Sequence, residues 1–254
     1  MRKVPELTAY FWITKVLTTA MGEATSDYFV KVLPPVVAVA FGAVALAVAL
    51  VLQFWVRRYV AWIYWLAVAM VAVFGTMAAD VLHIQFGVPY DVSTPFFAVV
   101  LAVVFIFWHS TERTLSIHTI DTPRREAFYW ATVIATFALG TAAGDMTAVT
   151  LHLGYLVSGV MFAGLIAVPA LAYGLFRLNE VVAFWFAYVV TRPLGASFAD
   201  WFGKPHRVGG LALGDGRVSI ALTFLIVGFV GYLTISRRDV KSDEPGSPAR
   251  AATP

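Results

Sequence analysis

Seven charged residues stand inside apolar sequence: Asp27, Asp80, Asp145 and Asp200, with Lys15, Glu23 and Arg192. Carboxylates in such surroundings can attract cations or exchange protons, and buried ammonium or guanidinium groups can pair with them or block leakage. The four Asp are not scattered. Each closes one spacing, Trp followed by Gly ten residues later and Asp five after that, in Trp12/Gly22/Asp27, Trp65/Gly75/Asp80, Trp130/Gly140/Asp145 and Trp185/Gly195/Asp200. A fourfold internal repeat therefore places an acid at one depth four times.

The elements that must carry these residues are helices. With Trp at zero and about 100° per residue, Gly falls near −80° and Asp near +60°. The residue four after Gly is small in every copy (Ser26, Ala79, Gly144, Ala199), the pattern that lets membrane helices approach closely. Lys15, Arg192 and Glu23 fall near −60°, −20° and +20°, on the same face, although the repeat does not require them. At about 1.5 Å per residue, Arg192 stands about 6 Å above Lys15 and about 6 Å below Glu23. If repeats one and four close a ring, Glu23 is expected to pair with Arg192, with Lys15 beneath. Trp12, Trp65, Trp130 and Trp185, with Gly22, Gly75, Gly140 and Gly195, read as helix-packing positions.

Composition sets the environment. Of 254 residues, 60% are hydrophobic and 13% charged, and the mean hydropathy is +0.79. Uncharged runs cover 32–56, 59–79, 92–111, 127–144, 146–176 and 218–236, each close to the roughly 20 residues that span a bilayer. Two further helices, about 8–30 and 181–200, are interrupted by charge. The expected fold is all-α: a polytopic membrane protein with eight transmembrane helices in four parallel hairpin repeats, about 8–57, 59–110, 126–177 and 179–237. A ring of four Trp–Gly–Asp helices with the return helices outside is the simplest packing, and two pairs around a cleft the alternative. One membrane domain, 1–238, precedes a polar tail, 239–254, expected to be disordered and cytoplasmic. The Gly-rich segment Phe202–Gly216 is expected to be flexible.

Lys and Arg counts orient the chain. With the N-terminus inside, Arg2, Lys3, Arg57, Arg58, Arg113, Arg124, Arg125, Arg177, Arg237, Arg238, Lys241 and Arg250 face the cytoplasm. Lys31, Lys204, Arg207 and Arg217 face outward. The first apolar stretch carries Lys15, Glu23 and Asp27 and does not read as a cleavable leader. The absence of cysteine excludes disulfides, thiolate metal sites and Cys nucleophiles. Basic residues scattered over loops point to no nucleic-acid partner. The partners expected are the lipid bilayer and a small ion or solute.

Enzyme motifs are absent. There is no Gly-x-Ser-x-Gly, no His-Glu-x-x-His and no phosphate-binding Gly loop, and no cofactor is evident. His83, His152 and His206 follow their Asp by three, seven and six residues and are weak metal candidates; loop histidine is the plainer reading.

The opening Lys3-Val4-Pro5-Glu6-Leu7-Thr8, with Phe11-Trp12, Lys15, Thr18-Thr19, Gly22-Glu23 and Asp27, resembles the start of a group of bacterial membrane proteins. That group is defined by four tandem two-helix repeats, each with a Trp, and is known as an uncharacterised membrane-anchored or repeat-of-unknown-function family. The resemblance implies an eight-helix inner-membrane protein and carries no activity. Later copies depart from the first: Glu23 becomes Thr76, Thr141 and Ala196, and Lys15 becomes Val68, Val133 and Tyr188.

The function expected from these residues is a small transporter or ion conduit for a cation. Asp27, Asp80, Asp145 and Asp200 form its outer mouth, Glu23 the inner carboxylate, and Lys15 and Arg192 a positive layer. The two cations keep an organic anion open as substrate. A non-transporting scaffold or sensor with structural charges is the alternative. A membrane enzyme is a third reading, without a visible nucleophile–base pair.

Overall fold

The computed structural model describes residues 3–176 and 179–240. Among these the chain is all-α, with no strand. Arg2, Arg177, Lys241 and Arg250, counted above for orientation, lie outside the described residues, as does the tail from 241 onward.

Eight α-helices follow one another: α1 (Ala9–Val32), α2 (Pro35–Trp55), α3 (Ala61–Asp80), α4 (Tyr90–Glu112), α5 (Pro123–Asp145), α6 (Gly154–Phe176), α7 (Glu180–Gly203) and α8 (Asp215–Ser236). Among the described residues, six are long and apolar enough to cross a membrane, namely α2, α3, α4, α5, α7 and α8. Lys15, Glu23, Asp27 and Lys31 keep α1 out of that set. Three of the four Trp-bearing helices begin at a side-chain cap. The oxygens of Thr8, Thr122 and Asn179 accept from Phe11, Arg125 and Val181 N–H respectively, satisfying donors that a helix start leaves unpaired. In α3 and α5 the repeated Asp ends the α-helix and a π-helical turn follows, Val81–Gln85 and Met146–Thr150.

The odd-numbered helices form a closed ring. Packing runs α1 to α3, α3 to α5, α5 to α7 and α7 back to α1. Burial agrees. The apolar stretches of α3, α5 and α7 are 61%, 67% and 56% buried, against 22% in each of α2, α4 and α8. The wheel arguments for a shared inner face therefore hold, and the ring describes the molecule better than two pairs around a cleft.

The glycines explain the closeness. A Cβ on Gly22 would strike Ala72, on Gly75 it would lie 2.8 Å from the Phe137 Cβ, on Gly140 it would strike Arg192, and on Gly195 it would strike Thr19. Each repeated Gly thus receives the residue seven after the Trp of the next helix around the ring, and the fourth contact closes on repeat one. Trp65, Trp130 and Trp185 are buried. Trp12 is only partly so, lining an apolar groove on the outer flank with Ile13, Val16 and Phe184.

The expected hairpin is corrected in one respect. A return helix does not pack mainly on the Trp helix that precedes it. The principal contact of α2 is α3, of α4 is α5, of α6 is α7, and of α8 is α1. Short connections leave the return helix at the ring's outer edge, where it covers the groove beside the following repeat. Two loop expectations also change. The segment after α7 folds back on itself, with Leu211, Leu213 and Gly214 N–H donating to the carbonyls of Trp201, Phe202 and Gly203. Asp239, assigned from sequence to the tail, is 2% exposed and accepts from the Tyr59 hydroxyl at 2.5 Å.

Candidate functional site

One Trp helix from each repeat supplies a residue to each level of the ring axis, and successive levels are four residues apart. The repeat fixes these positions; the departures from it give them chemistry. At the aspartate end, carboxylate oxygens of Glu23, Asp27 and Asp200 all lie within 4.8 Å of one another. Asp80 and Asp145 are half-buried. Tyr90, at the start of α4, neighbours Asp145, and Tyr155, at the start of α6, neighbours Asp200.

Lys204, just past the end of α7, reaches into this cluster. Its ammonium donates to Asp27 and lies 3.5 Å from Asp200. Burial alone would lower its pKa, but Asp200 and Asp27, with Glu23 behind them, raise it above the ordinary lysine value. Asp27 and Asp200 are thus held by a cation of the chain. The three clustered acids are hard oxygen donors of the kind that bind alkali or alkaline-earth ions, and any such ion competes with Lys204.

One level deeper, Glu23 meets Arg192. The guanidinium Nη2 donates to the Glu23 carboxylate at 2.6 Å, to the Thr141 hydroxyl at 2.7 Å and to the Thr76 hydroxyl. Glu23 and Arg192 are buried, as are both threonines. Thr76 and Thr141 are the repeat counterparts of Glu23, so one arginine is bound by the same position of three repeats. The pairing expected from the wheel angles is present.

Below this pair sits Lys15, fully buried. Its ammonium lies 4.1 Å from the Phe137 ring centre and 4.2 Å from that of Tyr188, and it makes no hydrogen bond among the described residues. Two aromatic faces give a cation about 0.5–2 kcal/mol each, less than a carboxylate would supply. Phe137 also carries the Arg192 guanidinium, 5.4 Å from the ring centre. The next level is aromatic, with the hydroxyls of Tyr64 and Tyr129 2.5 Å apart.

The seven charges singled out in the sequence thus collect on one axis. The histidines do not. The His83 ring N–H donates to the Val88 carbonyl at 2.9 Å and stacks on Tyr90. The His206 ring donates to Gly210 O at 2.8 Å, and His152 lies exposed in a left-handed turn. Among the described residues the one cluster of three ligating side chains contains no histidine. The His83 and His206 rings instead serve local turns.

Sequence reasoning passed over Thr76 and Thr141 as ligands, Phe137 and Tyr188 as aromatic faces, and Lys204. Alignment of the four copies was the available signal for the first four, since they occupy the Glu23, Arg192 and Lys15 positions. Lys204 follows Asp200 by one helical turn.

Four tandem repeats of apolar helices around a charged axis suggest a multi-pass membrane protein. Residues 10–59, 63–114, 128–178 and 183–239 each match the family described as Repeat of Unknown Function (DUF347), and the chain belongs to that family. No curated protein and no solved structure matches it.

Proposed function

We propose that this protein is a small transporter or ion conduit for a cation. In this reading all eight helices cross the bacterial inner membrane, both termini are cytoplasmic and the aspartate end faces outward. The observation that carries the reading is the Glu23–Arg192 pair at the ring centre, whose Glu23 also clusters with Asp27 and Asp200 one level above. Charges in a bilayer interior are costly and are kept where they face a path or one another. The Lys and Arg excess at the opposite end supports the orientation.

The roles follow from position. Four Asp draw a cation to the outer mouth, where it displaces Lys204. Glu23 accepts the ion or a proton and gives up Arg192, whose Nη2 keeps Thr76 and Thr141 as partners. Lys15 below supplies a second positive level that stops free leakage.

The test is flux into proteoliposomes, screened over protons, alkali ions and divalent ions, with wild type beside Glu23→Gln. Flux of at least one cation in wild type, reduced tenfold or more in a folded Glu23→Gln protein, supports the proposal. Absence of flux for every ion overturns it. The scaffold reading then takes its place, and one observation favours it: Arg192 with Phe137, and Lys15 with Tyr188, fill successive levels of the axis with side chains.

A further inference from the structure

The end of the ring opposite the aspartates is closed by chain that belongs to none of the ring helices. Residues 3–8 lead into α1, yet Lys3 lies against α5. Its ammonium donates to Glu126 at 2.5 Å and to the Phe54 carbonyl, at the end of α2, at 3.3 Å. Helices α1 and α5 are not neighbours in the ring; α3 or α7 stands between them on either side. A segment that joins the start of one to the start of the other must run beneath the ring end.

The second crossing piece is the connection between α4 and α5. Its Leu115 carbonyl accepts from the Trp185 indole of α7 at 2.9 Å, and its Ile120 carbonyl accepts from Lys3 N–H at 3.2 Å. Val4, Ile117 and Ile120 are 5%, 5% and 0% exposed. They pack in one cluster with Tyr64 and Tyr129, the aromatic level that ends the axis, and with Tyr188 of the Lys15 level above it. A third tie is the Glu6 N–H, which donates to the Asp239 carbonyl at 2.9 Å just past α8.

We infer that residues 3–8 and 115–120 form a gate across the inner end of the ring axis, latched by the buried Lys3–Glu126 ion pair. The inference rests on the conduit reading for what the gate controls. The latch is neutral as a unit. Glu126 takes Lys3 on one oxygen and the Gln53 amide, at 2.9 Å, on the other. Charge-assisted contacts of this kind are stronger than neutral ones and leave a charge stranded when one partner is lost. Removing the Lys3 charge therefore frees the segment while replacing no residue of the ring helices, and leaves the Glu126 carboxylate of α5 with Gln53. Lys3 and Glu126 lie far apart in sequence and outside the Trp–Gly–Asp pattern, so the latch is separate from the Glu23–Arg192 core.

The cysteine-free chain gives a clean test. Val4→Cys is introduced as a reporter, and its labelling by a water-soluble maleimide is timed on the full chain in detergent. The reporter alone is expected to label slowly. Adding Lys3→Gln is expected to raise the rate about tenfold or more, and Glu126→Gln to do the same. Lys31→Gln, which breaks an ion pair with Asp215 at the other end, is expected to leave it unchanged. In proteoliposomes Lys3→Gln is expected to raise flux of whichever cation wild type passes. Labelling that does not respond to Lys3→Gln or Glu126→Gln overturns the latch. Faster labelling with unchanged flux overturns the gate. No wild-type flux at all overturns the conduit reading and the gate with it, while a labelling response still shows the latch.

Discussion

Arg192 engages its partners through one amino group. Nη2 serves Glu23, Thr76 and Thr141, while Nε and Nη1 have no hydrogen-bond partner among the described residues. The pair is therefore buried but not fully satisfied, which makes each remaining contact costly to lose. Thr141→Val is predicted to destabilise the protein by about 1–2 kcal/mol, read by thermal melting in detergent. A second residue-scale prediction concerns pH. Burial first, and the Asp239 carboxylate second, hold the Tyr59 hydroxyl above its ordinary value near 10. Its neutral form is the one the fold favours, so stability is intact below about pH 10 and falls as pH rises past it. Tyr59→Phe is predicted to cost about 1 kcal/mol at pH 8 and to make the alkaline decline shallower. Melting curves from pH 8 to pH 11 check both. At this scale the sequence was partly legible. Glu23 and Arg192 were visible because they broke a repeat on a known helical face. Lys204 was not, because nothing in a loop assignment tells how far a four-carbon stem reaches back.

The helices were legible where apolar runs are long. The π-helical turns after Asp80 and Asp145 carry no sequence signature that separates them from the α-helices of repeats one and four. The partner of each return helix was likewise hidden. Hydropathy reports that α2 is apolar on all sides, not which helix it lies against. Packing of α8 on α1 places the hydroxyls of Thr25 and Ser219 2.6 Å apart. The double variant Thr25→Cys/Ser219→Cys is predicted to form an intramolecular disulfide on mild oxidation, seen as a reducible gel shift after cleavage between the two sites. A chain in which α8 packs only on α7 would give none. The glycines make a matched pair of predictions. Gly140→Leu forces a side chain into Arg192 and is predicted to abolish folding. Gly228→Ala, with nothing within 4 Å of the added carbon, is predicted to change melting little. Expression and melting of the two proteins side by side decide it.

At the scale of the whole molecule, repeats one and four meet to close the ring, and the unrepeated charges come from those two repeats. Lys15 and Glu23 stand on α1 and Arg192 on α7. Symmetry builds the scaffold: four glycine contacts, four Trp positions, and four return helices each leaning on the next repeat. The single arginine then uses three repeats as ligands, which a sequence read one copy at a time does not reveal. Ring closure and the charged core thus depend on each other, and one double-mutant cycle probes both. Glu23→Gln, Arg192→Met and the double variant are melted beside wild type. Each single change strands a buried partner and is predicted to cost about 3–5 kcal/mol, whereas the double change removes both charges and costs much less than the sum. Additive losses, within about 0.5 kcal/mol, would contradict a pair that closes repeat one on repeat four.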